Sequence, residues 1–319
     1  VIGHYALHTF APVVIAAVAG TVISRIHLGA FPAFVVPNYD IASFFEFPAF
    51  ILLGLVCALA AILFIRSIVT VEDVINRIGW PIWTRPMVGG AVVGGVTIFL
   101  PHVMGVGYAA TDAALQSTLP LWLMLALIVA KTATTAVSIG SRFGGGVFSP
   151  SLFVGAMVGG AFGVIAGSIF PGLAASPGFY AMIGMGAVAA PVIGAPISTI
   201  LIAFELTGEF SVVIAAMVAI TISTLISQQV AGRSFFHAQL KRRGVVIRAG
   251  RFEQLLTATQ VGDLMTDQYE IIEERAPASQ IREIMENARY GDFFVVDGEA
   301  GLVGSLTFNA LRGVSLDPE

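Results

Sequence analysis

The longest charge-free stretch of this chain, residues 143–204, contains no Asp, Glu, Lys or Arg in 62 positions. Ordinary globular proteins carry about 25% charged residues, whereas this chain carries 11% and is 56% hydrophobic. About 20 consecutive apolar residues suffice to cross the ~30 Å hydrocarbon core of a bilayer. A stretch of this length has to cross a membrane more than once, which predicts a polytopic membrane protein.

Charge is concentrated at the C-terminal end, where 23 of the 36 charged residues lie from Arg233 onward. This distribution predicts two unlike parts, a membrane part and a small soluble module. The net charge of −4 averages over both parts and therefore gives no support for a nucleic-acid partner. Cys57 is the single cysteine, which excludes a disulfide or a cysteine-based metal site within one chain. We expect Cys57 to be a small buried helix residue.

The membrane part contains seven apolar spans, at about residues 10–27, 47–65, 87–100, 121–136, 147–170, 180–204 and 211–230. Several are short or interrupted by Gly and Pro, and such interruptions occur at membrane depth only where protein or a water-filled cavity satisfies the freed backbone. Gly155, Gly159 and Gly163 recur every four residues, a spacing that lets helices approach closely. We expect broken helices with glycine packing surfaces.

Residues 144–146 are three consecutive glycines, followed by Pro150 at the start of an apolar span. This pattern predicts a helix that begins inside the apolar phase, with its first N–H groups unpaired and available to an anion. One helix terminus contributes only about 0.3 to 2 kcal/mol, whereas burying a bare ion costs tens of kcal/mol. An anion here would need further donors, and Gly146 would let the backbone approach it.

Three adjacent cations, Lys241, Arg242 and Arg243, follow the last span and favour the cytoplasmic side. We expect a membrane domain over 1–243, a linker over 244–260 and a cytoplasmic module over 261–319. Strand-like segments at 269–272, 292–297 and 301–307, with an amphipathic segment at 281–288, predict an α/β fold for this module.

Three segments carry a family resemblance: GSRFGGGVFSPSLF at 140–153, GMGAVAA at 184–190 and APISTILIAFELTG at 195–208. Together they resemble the second half of CLC-type chloride channels and proton/chloride antiporters. The resemblance implies an all-α membrane domain of tilted, broken helices, of the inverted-repeat kind. The module over 261–319 is similar to part of a CBS domain, a small α/β regulatory domain.

The resemblance also implies a chloride site. Gly146, Phe148 and Pro150 match the third selectivity signature of the family, in which the main-chain N–H groups of Val147 and Phe148 would hold chloride. Phe236 falls where many members place a pore Tyr, so one hydroxyl donor is missing. Residues matching the first two signatures, which carry a pore Ser and the gating glutamate, are not found in this sequence.

Several alternatives stay open. The resemblance implies a chloride channel or a proton-coupled antiporter, and the residues that distinguish them are expected upstream of Val1. We expect the chain to be a fragment cut at both ends, so a non-transporting fragment is the remaining alternative. The intact protein would be a homodimer in a bilayer, with subunit contacts near 10–27, 196–204 and 211–230. A prokaryotic inner membrane is the expected location.

Other candidate groups have less specific patterns. Lys131 could attract anions to a vestibule or be a snorkelling or paired lysine. Glu205 is a candidate as a carboxylic acid in the membrane or as an interfacial group. His4 and His8 lack a third ligand, and Ser141 and Ser149 lack a hydrolase context. We therefore expect no metal site and no enzyme. Chloride is the expected ligand, without a cofactor, since an adenine nucleotide at a single CBS domain is possible but unsupported.

Overall fold

The computed structural model describes residues 7–29, 34, 46–171, 174–207, 210–244, 260, 262, 270–277, 280, 281, 284, 292–298 and 301–307. The chain divides into two units, Val1–Ile247 and Arg248–Glu319. The first unit is helical, and the second contains the strands. This division into a helical membrane part and a small α/β part is the predicted fold class, which is confirmed.

Ten α-helices are described in the first unit: α1 Leu7–Leu28, α2 Phe47–Ile78, α3 Arg85–Phe99, α4 Tyr108–Leu115, α5 Leu121–Gly140, α6 Phe148–Ile169, α7 Pro177–Ile193, α8 Pro196–Thr207, α9 Phe210–Ala231 and α10 Phe235–Arg242. A 3-10 turn, Pro101–Val103, joins α3 to the segment before α4. Five helical segments of the described chain, which include α1, α2, α5, α6 and α9, are long and apolar enough to cross a membrane.

Helix α2 is longer than the apolar span at 47–65 predicts, because it continues as a helix of 32 residues to Ile78. The added part carries Arg66, Glu72 and Asp73, which hydropathy alone assigns to a loop. These charged groups are satisfied by other helices: the Arg66 guanidinium donates to the Val230 carbonyl at 3.4 Å, and Glu72 and Asp73 pair with Arg242. The added part also buries Ile68, so apolar packing and these polar contacts together accompany the extension of α2.

The predicted span at 180–204 is two helices, α7 and α8, which are separated at Gly194. Gly194 adopts a left-handed conformation with φ of 80°, which favours glycine. Its N–H donates to the Ala190 carbonyl at 2.8 Å and so closes the end of α7. Pro196 then begins α8, as expected where a chain restarts a helix.

Glycines form the contact between α6 and α7, as the four-residue spacing predicts. A Cβ at Gly159 would overlap the Tyr180 carbonyl and approach the Ala181 Cα to 2.9 Å. A Cβ at Gly155 would overlap the carbonyl of Gly184 in the same way. The two backbones therefore touch directly, and α6 and α7 form the most extensive helix contact in the unit.

Helix α10 is attached to the end of α2 by Arg242. Its guanidinium pairs with the Glu72 carboxylate at 3.1 Å and with Asp73. The side chains of Arg242 and Glu72 are each about a third exposed, at 32% and 33%, so water and salt screen the attraction.

Replacing Arg242 by Ala is therefore expected to lower the free energy of unfolding by only about 1 kcal/mol or less. Thermal unfolding in detergent at low and high salt measures this, and the difference from wild type should shrink at high salt. Lys241→Ala on the same helix is the control. A large, salt-independent loss for Arg242→Ala would contradict this account of the contact.

The second unit contains a three-stranded sheet, β1 Glu270–Glu273, β2 Asp292–Val296 and β3 Leu302–Thr307, in the order β1-β2-β3. β1 pairs with β2 in parallel, and β2 pairs with β3 antiparallel. The Asp297 carboxylate accepts from the Gly301 N–H at 2.8 Å and helps to close the β2–β3 turn. The predicted strands are present, while most of the amphipathic segment at 281–288 and of the linker at 244–260 lies outside the described residues.

Candidate functional site: the start of helix α6

Helix α6 begins directly after the glycine loop, which we define as residues 144–146. Val147 is the N-cap residue, and it provides no side-chain hydrogen bond to the first turn. The N–H groups of Phe148 and Ser149 belong to the first turn, where an α-helix supplies no carbonyl partner. Added Cβ atoms on the three glycines would meet nothing within 4 Å, so the loop is open and sterically accessible.

Two cavities border this helix start. One, of about 240 Å³, is lined by Phe148 and Ser149 together with residues of α7 and α8 that include Met185 and Thr199. The other, of about 280 Å³, is lined by the glycine loop, Pro150, Lys131 and hydroxyl residues of α5. Gly146 and Phe148 thus lie beside different cavities, and the first turn of α6 separates them. The Val147 side chain is buried and anchors that turn.

Lys131 on α5 is a buried cation, with 3% of its surface exposed. Its Nζ donates to the carbonyl oxygens of Val103 at 2.8 Å and Gly105 at 2.7 Å, and it lies 5.0 Å from the centre of the Phe153 ring. It is therefore paired with backbone carbonyls in the interior, and it does not snorkel. It also lines the cavity beside the glycine loop.

Phe236 lies in the first turn of α10 and is 36% exposed. Its ring contacts Phe235 with centroids 5.6 Å apart, and the Ser234 hydroxyl before it accepts from the His237 N–H at 3.2 Å. Among the described residues, Phe236 lines neither cavity at the α6 start. Gly146, Val147 and Phe148 thus lie together at the start of α6 because they are consecutive, while Phe236 lies on a separate short helix, α10.

The remaining candidates have structural positions. Ser141 is buried against α3, since a Cβ at Gly89 would overlap its side chain. Glu205 lies in the last turn of α8 and is exposed. Cys57 is buried in α2, as predicted. His4 lies outside the described residues, which contain no cluster of three metal-ligating side chains.

Two features near the site were not predicted from the sequence. Ser149 places a hydroxyl residue in the lining of the first cavity, whereas its position suggested only a helix start. Arg142 ends α5 in a left-handed conformation with φ of 64°, which costs a non-glycine residue about 1 kcal/mol. One sequence signal could have indicated this conformation. Arg142 comes just before Phe143 and the glycine loop, where a helix is expected to end, and residues that end helices often adopt left-handed backbone.

These observations define a class of protein: a multi-span membrane protein with an open helix start between two cavities, joined to a small α/β unit. The model of the voltage gated chloride channel family matches residues 1–228, and that of the CBS domain matches residues 261–317. The chain belongs to the voltage gated chloride channel family and carries a CBS domain.

Individual relatives agree with this membership. The chain is 35% identical over 220 residues to a putative chloride channel protein ClcB-like of Ralstonia nicotianae, covering 69% of this chain and 51% of that protein. It is 29% identical over 243 residues to the H(+)/Cl(-) exchange transporter ClcA of Vibrio cholerae, covering 75% and 52%. The chain thus spans about half the length of these relatives.

The fold also resembles a solved structure, that of a slow cyanobacterial Cl-/H+ antiporter. The TM-score is 0.65 at 23% sequence identity, and the match covers 71% of this chain and 53% of that one. At this identity the likeness concerns the fold alone.

Proposed function

We propose that this chain is the C-terminal portion of a CLC-type protein that moves chloride across a membrane. The observation that carries the proposal is the start of α6, where uncapped N–H groups follow an open glycine loop in a chain of this family. In a medium of low dielectric, such N–H groups replace part of the hydration shell of an anion. The division expected from the sequence belongs to the proposal: membrane domain 1–243, linker 244–260 and partial CBS domain 261–319.

In this proposal, chloride is bound by the main-chain N–H groups of Val147 and Phe148, with Gly146 allowing its approach. Phe236 contributes at most an apolar contact, because phenylalanine lacks the hydroxyl of the Tyr found there in many family members. One helix start contributes about 0.3 to 2 kcal/mol, so the remaining ligands come from outside this chain or from water. Weak binding of this kind allows the ion to leave, as transport requires. The protein acts as a transporter, not as an enzyme, and needs no cofactor.

Proton-coupled chloride antiport is the second candidate. It is favoured by the relative from Vibrio cholerae, which is named as an H(+)/Cl(-) exchange transporter. Antiport and passive conduction differ in one measurable respect, since only antiport moves protons against their gradient when chloride flows.

The test is chloride efflux from liposomes that contain the full-length protein, with a pH-sensitive dye in the lumen. Chloride efflux with an opposite proton flux indicates antiport, and chloride efflux alone indicates a channel. If another solute moves while chloride does not, the proposal fails at the level of the substrate. Empty liposomes and liposomes with heat-denatured protein provide the background.

Restoring the missing hydroxyl tests the proposed place of Phe236. Phe236→Tyr is expected to tighten chloride binding by about two- to tenfold, since one neutral hydrogen bond contributes about 0.5–1.5 kcal/mol. Isothermal titration with chloride measures the change. Phe170→Tyr, which adds a hydroxyl at the exposed far end of α6, is the matched control. An unchanged affinity for Phe236→Tyr would remove this residue from the site.

The assembly and location complete the proposal. We infer a homodimer in a prokaryotic inner membrane with the CBS domain in the cytoplasm. Apolar side chains on α1, α8 and α9 are exposed within this chain, including Ile26 at 73%, Ile197 at 74% and Leu225 at 57%. These helices supply the subunit contact in the proposal, and cross-linking between cysteines introduced on α8 tests it. An adenine nucleotide at the single CBS domain remains without support from any described residue.

A further inference from the structure

A polar cavity of about 600 Å³ lies where α2, α5 and α10 end near one another. Its lining includes Arg142, Arg242 and Arg243, the amides of Asn76 and Gln239, and Glu72. We call it the basic cavity. It is separate from the two cavities at the α6 start, although Phe143 and Gly145 lie in its wall and in that of the cavity beside Lys131.

The three arginines of the basic cavity have different roles. Arg242 is neutralised by Glu72 and Asp73. Arg142 and Arg243 are exposed and have no carboxylate within 4 Å in the described part of the chain. Arg142 and Arg243 thus add two positive charges to a lining whose carboxylate, Glu72, is paired with Arg242. A phosphate group in this cavity would be attracted by both charges, and a guanidinium presents its N–H donors in a fork that matches phosphate oxygens.

Neighbouring groups add further donors. The Asn76 side-chain oxygen accepts from the Arg85 guanidinium at 2.6 Å, which fixes the Asn76 amide and leaves its NH₂ group as a donor in the cavity lining. A ligand that meets several N–H donors at once has to present several acceptor oxygens. This requirement favours a phosphate group over chloride, which is a single spherical acceptor.

The backbone at Arg142 sets where this side chain begins. The Phe143 N–H donates to the Ser138 carbonyl and the Arg142 N–H to the Ile139 carbonyl, each at 3.0 Å. This pair of hydrogen bonds ends α5 in a Schellman motif, with Arg142 at the position that glycine usually occupies. The left-handed turn at Arg142 thus follows from how α5 ends, and it places Arg142 in the lining of the basic cavity.

We propose that the basic cavity binds a phosphate group through Arg142 and Arg243, with Asn76 as an additional donor. The phosphate can come from a soluble phosphate compound or from an anionic lipid headgroup, since both present the same oxygens. The cavity is large enough for a diphosphate. The proposal does not depend on which ion crosses the membrane, because its readout is binding and not transport.

The experiment is a calorimetric titration: pyrophosphate is added to the full-length protein in phosphatidylcholine nanodiscs, and the heat of binding is measured. Arg142→Gly is the decisive variant. Glycine adopts a φ of 64° without steric strain, so the variant removes the guanidinium and keeps the backbone turn. Wild type should bind, and Arg142→Gly should weaken binding at least about tenfold, as expected for losing hydrogen bonds to a charged group. Arg243→Gln should weaken it to a similar degree.

The control is Lys241→Ala, which removes one positive charge from α10 outside the cavity lining. Its affinity should stay within about twofold of wild type. Equal loss in Lys241→Ala would show diffuse attraction and overturn the proposal, as would full affinity in Arg142→Gly. A parallel arm measures retention of phosphatidic acid by native mass spectrometry. Binding in that arm alone, sensitive to Arg142→Gly, assigns the site to a lipid headgroup, and binding in neither arm overturns the proposal.

Discussion

Replacing Gly159 by alanine is expected to force α6 and α7 apart and to lower the stability of the helical unit. The added Cβ would overlap the Tyr180 carbonyl and lie 2.9 Å from the Ala181 Cα. Both neighbours are backbone atoms, which cannot move away by changing a rotamer. Overpacking in a tight core costs about 1–3 kcal/mol, and we expect the upper end of that range because α6 and α7 form the most extensive helix contact.

Thermal unfolding in detergent, followed by fluorescence-detected size exclusion, measures the effect. Gly167→Ala is the matched control, because Gly167 is also in α6 and an added Cβ there meets nothing within 4 Å. This control should be neutral or slightly stabilising, since alanine is a better helix former than glycine. If Gly159→Ala were as stable as wild type, direct backbone contact between α6 and α7 would not be needed for the stability of the helical unit.

Replacing Lys131 by methionine is expected to release the segment between the 3-10 turn and α4. The ammonium group joins the carbonyls of Val103 and Gly105 to α5, and methionine has no donor. A buried acceptor left unsatisfied costs about 1–3 kcal/mol, while removal of a buried charge recovers part of its desolvation cost. We expect a net loss of about 2 kcal/mol.

Hydrogen exchange by mass spectrometry locates the effect of Lys131→Met. Amide protection should fall at residues 103–107. It should be retained where the glycines of α6 pack against α7. Lys131→Arg, which keeps a cationic donor, should lose less, and Lys241→Met tests removal of an exposed lysine. Unchanged exchange in Lys131→Met would mean that Lys131 does not anchor this segment.

The sequence predicted those features that depend on the bilayer and on glycine. The charge-free run at 143–204 required membrane helices, and the spacing of Gly155, Gly159 and Gly163 predicted close packing because only hydrogen atoms fill that space. The start of α6 was predicted within one residue, since three glycines and a nearby proline leave few other places for a helix to begin.

Features that depend on distant partners could not be predicted in this way. Hydropathy places the end of α2 near residue 65. It cannot detect that Glu72 and Asp73 pair with Arg242, because these residues are about 170 positions apart in the sequence. The carbonyl partners of Lys131 were not predicted either, because Val103 and Gly105 lie in another segment of the chain. Arg142 was missed because its backbone conformation follows from how α5 ends and not from its own preference.

The length of α2 amplifies any tilt of this helix into a larger displacement at its far end. At 1.5 Å per residue, its 32 residues extend for about 48 Å, well beyond the hydrocarbon thickness. The helix packs against α5, α6, α7 and α9 along its length, while its end holds α10 through Arg242. A tilt of about 5° about one end would displace the other by about 4 Å. Small rotations within the helical core would therefore become ångström-scale displacements at the attachment of α10.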